Sequence, residues 1–96
     1  MQLPKTIKVS RTTYSVQQPK SLPRMALGHI DYESRTIRIA KQAHNKAVGK
    51  HERSDTFWHE LTHAILHDMD SRLVNDEKFV TRFAYRLNNA INSAKF

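Results

Sequence analysis

Two imidazoles and a carboxylate in the pattern His59-Glu60-x-x-His63 are the side chains of this sequence best suited to do chemistry. Positions four apart on an α-helix lie on the same face, one turn above each other, so His59 and His63 can close on one metal ion while Glu60 stands beside them. Neutral imidazoles are good ligands for Zn2+, and a carboxylate close to a water on that ion can take the water's proton. A chain of this histidine content shows such a pattern by accident roughly one time in fifty, so its surroundings decide how it is read. Phe57 and Trp58 precede it, Leu61, Ala64, Ile65 and Leu66 surround or follow it, and neither Gly nor Pro occurs from Glu52 to Phe96. Nothing there obstructs a helix. Ser54 or Asp55 is placed to cap its amino end. The competing reading is an amphipathic core helix that carries surface histidines.

A catalytic zinc takes three protein ligands and a water. The chain has no cysteine, so the third ligand must be a His, Asp or Glu. His67 continues the stripe of His59 and His63, but eight residues of helix put it about 12 Å from His59 along the axis, which places it at the rim of a site. No histidine follows it, and Asp68 and Asp70 stand at or just past the end of the helix. Glu77 is better placed, opening a second helix on the inward stripe of Val80, Ala84 and Leu87, with Asp76 as the alternative. A first-turn carboxylate also favours the helix dipole, so Glu77 has a purely structural reading beside the ligand one. His44 and His51 read as exposed loop histidines.

The elements that must position these groups form an α+β pattern. Residues 1–40 are strand-rich: 6–17 alternate as extended chain, Pro19 and Pro23 punctuate a loop, and Ala26 to Ile39 reads as a hairpin with a turn near Glu33-Ser34-Arg35. Ile37 and Ile39 should face the core, with Thr36 and Arg38 opposite. Residues 41–53 read as a basic, mobile connection, 54–69 as the helix of the His-Glu-x-x-His motif, and 75–94 as a second helix capped by Asn75. The second helix repeats Phe79, Val80, Phe83, Ala84, Leu87, Ala90, Ile91 and Ala94 at helical intervals. The expectation is a single domain: a small antiparallel sheet or hairpins, then two packed helices.

Ninety-six residues suffice for one small domain, and an apolar fraction of 39% leaves a core to which a bound metal would contribute stability. No apolar run has signal-peptide or membrane-spanning length, so a cytoplasmic protein without membrane partners is expected. The formal charge of +7 admits nucleic acid as a partner. The basic residues are spread from Lys5 to Lys95 without a DNA-binding motif, however, which favours a solvated basic surface.

The motif stretch Phe57 to His67, with Glu77-Lys-Phe-Val-Thr-Arg-Phe-Ala-Tyr-Arg-Leu87, resembles the gluzincin branch of zinc metallopeptidases. The likeness is to compact ImmA/IrrE-like proteins and minimal gluzincins of bacteria and phages. It covers about the carboxy-terminal half, and Thr62 stands where a Gly is usual before the second His. The resemblance implies a zincin-like fold and a zinc peptidase acting on a protein or peptide. His59, His63 and Glu77 would hold zinc, and Glu60 would pass a proton from water to the leaving amine. Tyr32, His29 and Tyr85 are candidate donors to the carbonyl, and Thr36 to Ala40 offers a strand edge for an extended substrate. The alternative is a weak or inactive zincin-fold protein that acts by binding a host or phage partner.

Overall fold

The computed structural model describes residues 2–96. The fold is α+β, a four-stranded sheet followed by two packed helices. Strands β1 (Thr6–Val9) and β2 (Thr12–Gln17) form one hairpin and β3 (Gly28–Asp31) and β4 (Thr36–Ile39) another. The sheet order is β1-β2-β4-β3, and β2 pairs with β4 in parallel, Val16 opposite Ile37. The sheet is thus mixed. The pattern over residues 26–39 reveals the β3–β4 hairpin, whereas 6–17 reads only as extended chain. Alternation does not show that β1 folds back on β2 or that β2 joins β4 in parallel. Alternation sends one face of each strand inward, so Ile37 and Ile39 are fully buried and Tyr14 and Val9 are buried beside them. Thr36 is buried as well, its hydroxyl within 3.1 Å of the Ser34 carbonyl.

Residues 41–53 are structured, contrary to the mobile connection expected from their polarity. Strands β5 (Gln42–Ala43) and β6 (Lys46–Ala47) pair through a two-residue turn in which His44 and Asn45 both have positive φ, 53° and 62°. Such a turn matches the natural twist of a hairpin, and Asn tolerates the left-handed conformation, so this polar segment still folds back on itself. Helix α1 then runs over Lys50–Asp68, four residues earlier than the motif alone indicates. Gly49 is its N-cap, and neither Ser54 nor Asp55 performs that role. Ser54 is instead buried, its hydroxyl 3.0 Å from Oδ1 of the fully buried Asn88 on α2 (Glu77–Ser93).

Phe57, Leu61 and Ala64 of α1 pack on Val9, Tyr14, Ile37 and Ile39, with Trp58 and Ile30 at the margin. On α2, Val80 and Ala84 are buried beside Asn88. Strand β3 comes so close to α1 that a Cβ on Gly28 would lie 2.5 Å from Cγ2 of Thr56 and 3.0 Å from Oε2 of Glu60. A glycine inside a strand often marks such an approach of backbone to a neighbour. Gly28→Ala is therefore expected to destabilise the fold by about 1–3 kcal/mol in denaturant titrations. Gly49, with nothing within 4 Å of its Cβ position, is the control: Gly49→Ala should change stability by less than about 1 kcal/mol.

Candidate metal centre

The chain reversal after α1 determines what can reach the histidines. Asp70 adopts the left-handed conformation (φ 53°), the Ser71 amide donates to the Leu66 carbonyl, and a short 3-10 turn over Arg72–Asn75 follows. The Ser71 hydroxyl caps that turn by accepting from the Leu73 amide. Asp76 is the N-cap of α2, accepting from the Phe79 amide at 3.0 Å, so the expected cap at Asn75 falls one residue later. This role places Glu77 in the first turn of α2, facing the motif.

Both carboxylate oxygens of Glu77 are used. Oε2 lies 3.0 Å from Nε2 of His59, and Oε1 lies 2.8 Å from Nε2 of His63. These residues offer one ligand atom each within 4.8 Å of one another and could hold a metal ion. The His63 Nδ1–H donates to the Val74 carbonyl at 2.7 Å, which turns Nε2, the atom available to a metal, toward Glu77. Nitrogen and carboxylate oxygen this close share positive charge, either a proton on the imidazole or a bound cation. Two imidazole nitrogens with one carboxylate make a donor set that a divalent cation such as zinc accepts. Burial lowers the pKa of His59 in spite of the opposing charge of Glu77, which favours the neutral, ligating form.

Glu60 is only 7% exposed and packs against Gly28. Burial, and secondarily the charge of Glu77, pushes its pKa up to about 7. It shares with His59, His63 and Glu77 an open cleft of about 390 Å³ whose far wall is β3. A recess of about 310 Å³ lined by Leu27, Asp55 and Thr56 adjoins it across Gly28.

The other sequence-derived candidates separate cleanly. Tyr32 and His29 both line the cleft, whereas Tyr85 is 53% exposed on α2 and does not. His67 is not in the metal cluster: its ring stacks on that of Tyr32, centroids 4.0 Å apart and 15° from parallel. Burial raises the pKa of the Tyr32 phenol, and the nearby Tyr14, Glu60 and Glu77 add to the effect, so it remains a proton-bearing donor. Asp68 accepts from the Ser10 hydroxyl at 2.7 Å, and Asp76 is spent on its cap. His44 lies in the hairpin turn, and His51 is exposed in the first turn of α1.

Two contributors escaped the sequence reading. Gly28 had a signal, being one of only two glycines and lying within a hairpin pattern. The Val74 carbonyl had none, because every residue carries that group. Comparison with family models, curated proteins and solved structures gives no match.

The buried Glu60 has a consequence for stability. Its folded-state pKa of about 7 lies above the 4.5 of a free carboxyl, so between those values the native state keeps a proton that the unfolded state releases. In the presence of a chelator, stability should fall as pH rises through that window, with a limiting slope of about 1.4 kcal/mol per pH unit from this group. His59, shifted downward, contributes with the opposite sign. The readout is therefore the difference between parent and Glu60→Gln in urea titrations at pH 4.5 to 7.5, which should favour the variant increasingly as pH rises.

Proposed function

We propose that this protein is a zinc-dependent peptidase. The observation that carries the reading is the convergence of His59, His63 and Glu77 from two helices, with Glu60 beside them in the same cleft. This is the ligand set and base that the gluzincin resemblance implies. A zinc ion held by those three residues would polarise the scissile carbonyl and, by its charge, draw the Glu60 carboxyl back toward its ionised, proton-accepting form.

The remaining work falls to the chain itself. The Glu60 carboxylate accepts a proton from the attacking water as the water oxygen bonds to the carbonyl carbon. It then delivers that proton to the amide nitrogen as the C–N bond breaks. Tyr32, which lines the cleft with its ring stacked on His67, would donate its phenolic proton to the negative charge that develops on the former carbonyl oxygen. His63 keeps its orientation through Val74, which holds the second imidazole in one tautomer.

The strand edge for substrate differs from the one expected. β4 (Thr36–Ile39) is hydrogen-bonded on both sides, to β2 and to β3, so its backbone groups are already taken. β3 has one neighbour in the sheet, and its Gly28, His29 and Ile30 line the cleft. An extended peptide would lie along β3, its backbone pairing with that free edge. Among the described residues no helix is long and apolar enough to cross a membrane.

The test is hydrolysis of a fluorogenic peptide library by zinc-reconstituted protein. Glu60→Gln should lower kcat by about 10²- to 10⁴-fold while keeping bound zinc, and Tyr32→Phe should lower kcat by about 10- to 10³-fold with KM little changed. Undiminished hydrolysis by Glu60→Gln would rule the mechanism out. Zinc bound without hydrolysis of any library member would favour a metal-binding docking protein instead.

A further inference from the structure

Helix α2 carries more apolar surface than α1 covers. Val80, Ala84 and Asn88 are buried in the interface, yet Phe83 is 45% exposed and Ile91 48%, with Phe79 and Leu87 half-buried. Phe79, Phe83, Leu87 and Ile91 follow one another at four-residue steps, an apolar line about 18 Å long on one flank of the helix. One residue earlier at each of the first three steps stand Lys78, Arg82 and Arg86, all exposed, which form a basic line parallel to the apolar one. The Phe79 and Phe83 rings stack with centroids 5.7 Å apart. With the three cations they bound an open groove of about 450 Å³, reached at one end by the capping residue Asp76. Among the described residues, none of these cations has a carboxylate within 4 Å.

We propose that this flank of α2 docks an acidic amphipathic helix of a partner protein. Two parallel lines at helical spacing, one apolar and one basic, are complementary to a helix that carries an apolar line beside an acidic one. A second copy of this chain offers no row of carboxylates on the same flank to meet Lys78, Arg82 and Arg86, and in antiparallel packing it would set like charge against like. Nucleic acid would match the cations and could stack on Phe79 or Phe83, but Leu87 and Ile91 offer bases no aromatic face. A bilayer surface takes a broad apolar face, whereas this line is one side chain wide, with the cations on one side and α1 on the other. The proposal is independent of the peptidase reading.

Fluorescence anisotropy provides the test, with a labelled synthetic helical peptide that carries leucines and glutamates each at four-residue spacing. Its counterpart with lysine for glutamate, an oligothymidylate, and phosphatidylcholine vesicles containing phosphatidylserine are the competing probes. The expected result is binding of the glutamate peptide at least tenfold tighter than of the lysine peptide. Phe83→Ser should weaken it tenfold or more, and the double variant Arg82→Glu, Arg86→Glu should reverse the preference between the peptides. Unchanged circular dichroism and metal content in these surface variants would show that fold and metal centre are intact. Equal binding of the two peptides, no binding of either, or tighter Phe83-dependent binding of oligothymidylate or vesicles would overturn the proposal.

Discussion

Two imidazoles on one helical face hold a metal well only if a third group arrives from elsewhere, and here everything depends on the reversal between α1 and α2. That short segment does two jobs at once. Its Asp76 cap starts α2 so that Glu77 meets both Nε2 atoms, and its Val74 carbonyl takes the Nδ1 proton of His63. The first brings a carboxylate to the two imidazoles, completing a group that could hold a metal ion, and the second fixes the orientation of the His63 ring. A reversal one residue longer or shorter would turn a different side chain toward the imidazoles, because a one-residue shift on a helix rotates a side chain by about 100°.

The rest of the fold holds that reversal against the motif. Phe57, Leu61 and Ala64 anchor the opposite face of α1 to the sheet, which leaves His59, Glu60 and His63 facing the cleft. Gly28 lets β3 approach close enough to bury Glu60. The Ser54–Asn88 hydrogen bond joins the helices farther along, where a buried polar pair favours one register over a sliding apolar contact. The result is a carboxyl held in a low-dielectric wall, an arrangement that costs stability once the carboxyl ionises.

Much of this was legible in the residues. The α+β order, the hairpin over residues 26–39, the inward Ile37 and Ile39, and two helices follow from alternation of period two giving way to period 3.6. Glu77 could be preferred over Asp68 and Asp70 because it opens a helix instead of ending one. Less legible was whatever resides in the backbone: the parallel β2–β4 pairing, the positive-φ turn at His44 and Asn45, and the carbonyl of Val74. The cap of α2 falls at Asp76 and not Asn75, a one-residue shift between two competent caps. By contrast, α1 starts at Gly49, which offers no capping side chain, and Ser54 is drawn into the helix interface by Asn88. The α2 stripe was visible in full, but periodicity cannot say that only half of it is covered.

The central claim is that one metal ion is held jointly by two residues of α1 and one of α2. Its most direct measurement is elemental analysis with X-ray absorption on protein purified without added metal and again after zinc reconstitution, for the parent, His59→Ala and Glu77→Ala. About one zinc per chain in a nitrogen and oxygen environment, lost or sharply weakened in both variants, is the expected result. A parent that takes up no zinc even on reconstitution, or a Glu77→Ala protein that keeps it unweakened, would contradict the account.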